Sequence, residues 1–227
     1  MTHFPRRSIL LVNPWIHDFS AYDLWMKPLG LLYLGAILRS RGFEVSLLDC
    51  VDFHSLPENL TRDFPAPKRR EFGRGHFFKE VIPKPPALKS IPRKFRRYGL
   101  PPAAVKGYLA TLPRPELILV TSLMTYWYTG VAETIGFLRE RFPGTPIFLG
   151  GIYATLCPGH ARTFSGADRV LAGPWDEEQG RILTEALDSP VPLGRESFAE
   201  WPHPIFDLYP RLDYVCLLTR LPPRLIH

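Results

Sequence analysis

Short apolar runs alternate with helix-like segments along most of this chain. Residues 8–13 form the first run, which ends at Asn13 and suits a strand buried on both faces. Residues 29–41 carry apolar side chains at helical spacing and stop at Gly42, and residues 43–49 form the second run. This strand–helix–strand order predicts a parallel crossover unit, which is almost always right-handed.

The alternation resumes after residue 115. It predicts strands over 117–121, 146–149 and 168–171, and helices over 130–142, 158–164 and 177–187. Five strands alternating with helices predict an α/β fold built on a five-stranded, doubly wound parallel sheet of the Rossmann-like or flavodoxin-like kind. The sequence contains no internal repeat.

Residues 51–115 interrupt this pattern. Residues 57–115 hold 11 of the 25 prolines and 14 of the 28 Lys and Arg residues, but only 4 of the 22 Asp and Glu residues. The net charge of +6 therefore comes from an insert, which argues against a nucleic-acid-binding fold. We predict an ordered but irregular, basic, Pro-rich insert with one helix over 101–112. Its basic, helix-like run 93–97 either faces solvent, docks on another domain, or binds acidic lipid or RNA.

The strand–helix pattern ends at residue 188, and five prolines lie between residues 190 and 210. We expect one domain over 1–188 and a Pro-rich linker or tail over 189–227. Cys50, Cys157 and Cys216 have neither disulfide nor metal-site spacing, which fits a reducing cytoplasm. No apolar run reaches the ~7–15 residues of a signal peptide core or the ~18 of a membrane span. We therefore expect a soluble, cytoplasmic protein without a membrane partner.

Candidate binding residues follow the predicted strands, at the carboxyl edge where open parallel sheets bind ligands. They are Asn13 and Pro14 after the first strand, Thr121, Ser122 and Thr125 after the third, Gly150, Gly151 and Thr155 after the fourth, and Gly173 after the fifth. Glycine lets a flat ligand approach the backbone, and hydroxyls can hydrogen-bond a polar ring. Alternatively, the glycines only turn a tight loop and the hydroxyls cap the next helix.

Several motifs are missing from these loops. Without G-x-G-x-x-G after the first strand or G-x-x-x-x-G-K-[ST] anywhere, neither a dinucleotide site nor a P-loop is indicated. No carboxylate pair and no Ser/His/Asp arrangement stands out, so we assign no catalytic residue. The aromatic cluster 126–128 either walls a bound ligand, faces a further domain, or packs in the core.

Five segments occur in a set order along the chain. They are Asn13-Pro14, KPLGLLYLGAIL over 27–38, GFEVSLLD over 42–49, VTSLMTYWY over 120–128 and LGGIYATLCP over 149–158. Together they resemble the amino-terminal cobalamin-binding domain of cobalamin-dependent radical SAM proteins, over about residues 8–218. The resemblance implies that cobalamin is the ligand and that its nucleotide tail inserts into the sheet.

The resemblance also implies a role for each candidate. Thr121, Ser122 and Thr125 would contact the tail, and Gly150 and Gly151 would let it pass into the sheet. Gly173 would flank the buried dimethylbenzimidazole, and Thr155 is counted with the cofactor-binding residues. The corrin face would be approached by Asn13, Pro14 and the loop that follows. Other cobalamin domains carry D-x-H-x-x-G after the first strand, with the histidine on cobalt, and this chain lacks it there. We therefore assign neither His17 nor His54 to cobalt and expect base-off cobalamin without a metal ligand from the protein.

A second departure concerns the catalytic half of such proteins. The C-x-x-x-C-x-x-C motif that would follow residue 219 is missing, and Cys216 alone cannot hold a [4Fe–4S] cluster. We expect a cobalamin-binding module from a truncated gene, not catalytic alone, that could meet a radical SAM catalytic domain in trans. Two alternatives stay open: a flavodoxin-like protein that binds FMN or a nucleotide, and a non-functional remnant.

Overall fold

Mainly buried, apolar runs form four of the strands in the computed structural model, which describes residues 7–24, 27–70, 74–190, 192–194 and 197–209. Its strands are β1 (Ser8–Asn13), β2 (Ile16–Asp18), β3 (Glu44–Asp49), β4 (Lys79–Val81), β5 (Arg96–Tyr98), β6 (Leu117–Val120), β7 (Ile147–Leu149) and β8 (Arg169–Val170). Its α-helices are α1 (Leu29–Ser40), α2 (Glu58–Thr61), α3 (Pro102–Thr111), α4 (Tyr128–Arg141), α5 (Ile152–Leu156), α6 (Pro158–Phe164) and α7 (Glu177–Ala186).

The main sheet has five strands in the order β3-β1-β6-β7-β8, and every neighbouring pair is parallel. This confirms the predicted α/β fold with a five-stranded, doubly wound sheet. Alternate side chains of the interior strand β1 enter different cores, with Leu10 on one face and Leu11 on the other. Helices α1 and α7 pack on the Leu11 face, and α3 and α4 pack on the Leu10 face.

The predicted helices lie within two residues of the observed ones. The chain leaves α1 through Gly42, whose φ of 89° is in the left-handed region that favours glycine. Helices α2 and α5 were not predicted, because four or five residues are too few to show a helical period. Among the described residues, no helix has the length and apolar character needed to cross a membrane.

The basic insert is more regular than the sequence predicts. Strands β4 and β5 pair antiparallel with each other, and β2 pairs with β5, so a second sheet forms in the order β2-β5-β4. Phe77, Phe95 and Tyr98 bury their rings there. The helix-like conformation predicted for residues 93–97 is wrong, because the last two of these residues belong to strand β5. Strands of three residues are too short for alternation to reveal them.

Ion pairs attach the second sheet to the main domain. Nη2 of Arg97 on β5 pairs with Oε1 of Glu133 on α4, while its Nη1 lies 2.9 Å from Oε2 of Glu80 within the second sheet. Nε2 of His17 lies 2.7 Å from Oε2 of the same glutamate. Burial alone would raise the pKa of Glu133, but its hydrogen bonds and charge interactions with His17 and Arg97 lower that pKa to about 2. Part of the basic run therefore serves an internal structural role.

The Pro-rich tail packs against α1 as far as Tyr209. Ile205 is 4% exposed and contacts Gly35, where a side chain would collide with it. The hydroxyl of Tyr209 donates a hydrogen bond of 2.7 Å to Oδ2 of Asp49. These residues contribute to the core on the α1 face. Cys216 lies outside the described residues.

The packing of the tail can be tested by truncating Ile205. Ile205→Ala removes a buried side chain against Gly35 and should lower the free energy of unfolding by about 2–4 kcal/mol. Urea denaturation followed by circular dichroism measures this loss. Leu156→Ala, at a side chain that is 67% exposed, is the control and should change stability by less than about 0.5 kcal/mol. Equal stability of the two variants would show that the tail is not docked.

Candidate functional site

An apolar slot of about 290 Å³ opens at the carboxyl edge of the main sheet. Leu119 of β6 and Phe148 of β7 contribute to it from the sheet, and Tyr33 contributes from α1. Trp175, in the loop after β8, and Trp201 of the tail complete the lining. This volume is near the lower limit of small-molecule sites, ~300–1,000 Å³, so the slot suits a ring-sized group.

Four of the predicted residues line this slot together. They are Thr121, Gly150, Gly151 and Gly173, which come from the ends of three different strands. Thr155 connects two of these loops, because its hydroxyl donates to the carbonyl oxygen of Gly151 at 2.9 Å and accepts from the backbone N–H of Gly173 at 3.0 Å. The structure therefore brings five predicted residues to one place.

Ser122 has a structural role beside the slot. It is 2% exposed, and its hydroxyl donates to the carbonyl oxygen of Gly150 at 2.6 Å. Gly151 adopts a φ of 90°, and a Cβ there would lie 2.7 Å from the backbone nitrogen of Ser122. At Gly150, by contrast, a Cβ would meet only the carbonyl oxygen of Leu171 at 3.9 Å. Gly151 thus permits the turn, whereas Gly150 leaves open space at the slot.

Three predicted residues lie away from the slot. Asn13 donates from Nδ2 to Oδ1 of Asp49 at 2.8 Å. Asn13 and Pro14 border a small recess beside Leu123, which is separate from the slot. Thr125 begins a short 3₁₀ helix, Thr125–Trp127, that precedes α4. The corrin-facing role that the resemblance implies for Asn13 and Pro14 stays a prediction.

No protein-family model matches this chain, and no curated protein matches it significantly. The fold class rests on the strand order alone. The similarity to cobalamin-binding domains accordingly stays a hypothesis.

The histidines singled out from the sequence both lie away from the slot. His17 is buried on β2, where Nε2 faces Glu133 and Nδ1 lies 3.1 Å from Oγ1 of Thr129. His54 lines a different groove, with Phe53 and Tyr108. Within the described ranges, no group of three or more His, Cys, Asp and Glu residues could hold a metal ion.

The aromatic cluster 126–128 divides between two environments. Trp127 is buried, and its indole N–H donates to Oδ2 of Asp18 at 2.8 Å, so the core interpretation applies to this residue. Tyr126 is 59% exposed at the carboxyl edge. It belongs to an apolar rim, which we define as Leu123, Met124, Tyr126, Ile152 and Leu156. Exposed apolar patches of this kind mark binding surfaces.

A buried polar network closes the β3 side of the same edge. Asp49 and Asp52 are almost fully buried, and Nζ of Lys27 pairs with Oδ2 of Asp52. Burial raises the pKa of Asp49, although the charge of Lys27 and a hydrogen bond from Tyr209 oppose the rise. The network joins the ends of β1 and β3 to the tail, and none of its members lines the slot.

The sequence missed several residues that line the slot. A Cβ at Gly30, near the start of α1, would meet nothing within 4 Å, and Trp201 reaches the slot from the tail. Nε1 of Trp175 and Oε1 of Gln179 are buried without a hydrogen-bond partner in the part of the chain that the structure describes. Only Trp175 had a signal in the sequence, because it follows the fifth predicted strand closely.

The different roles of the two adjacent glycines predict different stabilities. Gly151→Ala forces a side chain into the left-handed region and against Ser122, so unfolding should become easier by about 1–3 kcal/mol. Gly150→Ala, the matched control, should stay within about 0.5 kcal/mol of the unmodified protein. Urea denaturation of both variants measures the change in the free energy of unfolding. Similar losses at both positions would contradict the assigned roles.

Proposed function

We propose that this chain is a cobalamin-binding module and that the slot takes the nucleotide tail of the cofactor. The observation that carries the proposal is the meeting of Thr121, Gly150, Gly151 and Gly173 in one apolar cavity. These are residues to which the resemblance gives contact with the tail. Their position at the carboxyl edge is where parallel sheets bind ligands.

The lining of the slot fits a flat, buried heterocycle. Leu119 and Phe148 give it apolar sides, and the rings of Tyr33, Trp175 and Trp201 can stack on or edge against a planar group. A volume of about 290 Å³ holds a fused two-ring base but not a corrin. The corrin would therefore stay outside the slot.

The surface beside the slot suits the remaining, larger part of the ligand. A second recess shares Gly151, Gly173 and Pro174 with the slot and continues to Ile152 and Leu156 of the apolar rim. Bound cobalamin supplies methyl-transfer chemistry at its cobalt in the family that the chain resembles. This chain would bind and orient it in the base-off form, without a histidine on cobalt, for a catalytic domain on another chain.

The flavin alternative needs a phosphate-binding loop after the first strand. Here β1 is followed after two residues by β2, and Trp15 between them is 1% exposed. Its indole N–H donates to the carbonyl oxygen of Leu100 at 2.8 Å, and its backbone lies against Gly130. A buried, hydrogen-bonded tryptophan leaves no room for the backbone N–H groups that would hold a phosphate. This observation favours cobalamin over FMN.

The proposal is tested by titrating the purified chain with hydroxocobalamin and, separately, with FMN. Visible spectra recorded after gel filtration should show retained cobalamin with a base-off spectrum and no retained FMN. Folded protein from which cobalamin washes away would overturn the proposal. Retained FMN would point to the flavin alternative, and retention of neither would point to a remnant.

Substitutions at two helix glycines test whether cobalamin binds in the slot. Gly30→Phe places a ring at the slot and should weaken hydroxocobalamin binding at least about tenfold, because the ring competes for the cavity. Gly136→Phe is the control, since Gly136 is also an exposed helix glycine with nothing within 4 Å, but on α4. Equal affinities of the two variants would place the cofactor elsewhere.

A further inference from the structure

The second sheet has an outer edge at β4. Its strand order is β2-β5-β4, so among the described residues β4 has a neighbouring strand on one side only. The backbone N–H of Ile82 donates to the carbonyl oxygen of Phe95 at 3.0 Å, and the carbonyl oxygen of Phe78 accepts at 2.8 Å from the residue that follows β5. Because these bonds alternate along an antiparallel ladder, the even-numbered residues here face β5. The N–H and C=O groups of Lys79 and Val81 therefore point to the outer edge.

This edge is open to solvent. The outward backbone groups of Lys79 and Val81 have no hydrogen-bond partner within the part of the chain that the structure describes. Val81 is 62% exposed, and Lys79 is exposed as well. An open sheet edge with free N–H and C=O groups is a template for one more strand.

The hairpin that carries the edge is strongly basic. Residues 79–96 contain six Lys and Arg residues and a single acid, Glu80. Oε2 of Glu80 lies 2.9 Å from Nη1 of Arg97, so its charge is already balanced. Three exposed lysines of the hairpin have no ion pair within the described residues, namely Lys79, Lys89 and Lys94. A second copy of this hairpin would be repelled, whereas an acidic partner would be attracted.

The carbonyl groups at the edge distinguish between kinds of acidic partner. Carbonyl oxygens accept hydrogen bonds, and a peptide backbone supplies N–H donors at the spacing of a strand. The phosphate groups of nucleic acids and lipids are acceptors, so they can meet the lysines but not the carbonyl oxygens of Lys79 and Val81. An extended peptide answers both the charge and the backbone.

We propose that β4 accepts an extended, acidic peptide segment of another protein as a fourth strand of the second sheet. The backbone of the peptide pairs with Lys79 and Val81, and its carboxylates face the lysines of the hairpin. Because none of residues 79–98 lines the slot, this surface does not depend on the proposed function.

The test uses an acetylated, fluorescein-labelled hexapeptide of alternating glutamate and threonine, added to the full chain and followed by fluorescence anisotropy at low salt. Methylation of all backbone nitrogens of the peptide should weaken binding at least about tenfold, because the charge stays while the donors are lost. Bound peptide should also slow hydrogen exchange at the N–H groups of Lys79 and Val81. No binding, or equal binding of the two peptides, would overturn the proposal.

Variants of the chain locate the binding. Val81→Pro removes an N–H that points to the open edge and not into the ladder, a position that tolerates proline. It should retain the fold, checked by urea denaturation, and weaken peptide binding at least about tenfold. Lys94→Glu should weaken binding about threefold or more. Arg162→Glu, the same change of charge at an exposed residue of α6, is the control and should change it by less than about twofold.

Two results from these variants and from phosphate probes would contradict the proposal. The first is unchanged peptide affinity in folded Val81→Pro. The second is tighter binding of single-stranded RNA or of phosphatidylserine vesicles than of the peptide, which would assign the basic hairpin to phosphate groups. The methylated peptide tests strand addition on the unmodified chain, so it does not depend on the folding of any variant.

Discussion

The contact between Ser122 and the chain after β7 is the constraint on which the slot depends. The hydroxyl of Ser122 donates to the carbonyl oxygen of Gly150, and its own carbonyl accepts from the backbone N–H of Ile152 at 2.8 Å. This close crossing requires glycine at residue 151, where the backbone is left-handed. It holds the ends of β6 and β7 together while leaving Gly150 bare. An apolar slot with an open backbone wall is the result.

Two additions to the sheet decide what the edge can bind. The tail closes one side, because Ile205 anchors it on α1 and Trp201 then reaches the slot. The loop after β1 is closed as well, because Trp15, which precedes β2, is buried in the core on the Leu10 face of the main sheet. The slot lies between α1 and α7, over Leu119 and Phe148 of the sheet. A ligand with a narrow ring and a larger body outside it matches this division.

The sequence predicted the five-stranded sheet because four of its strands are mainly apolar runs next to recognisable helices, and the fifth, Arg169–Val170, falls between two predicted helices. It also identified Thr121 and Gly150, since loops after parallel strands meet at one edge. It could not distinguish the role of Ser122 from that of Thr121, because both carry a hydroxyl and follow the same strand. Only the packing shows that the Ser122 hydroxyl bonds to the backbone while Thr121 lines the slot. Trp201 was beyond prediction, since it lies in a Pro-rich segment without periodicity. The second sheet was missed because its strands have only three residues each.

The most direct measurement is a crystal structure of the chain grown with hydroxocobalamin. We expect density for the lower base between α1 and α7, against Leu119 and Phe148, with the corrin outside over the apolar rim. We also expect the ends of β6 and β7 to keep their contact through Ser122. A cofactor bound in another place, with the slot unchanged, would contradict the central claim.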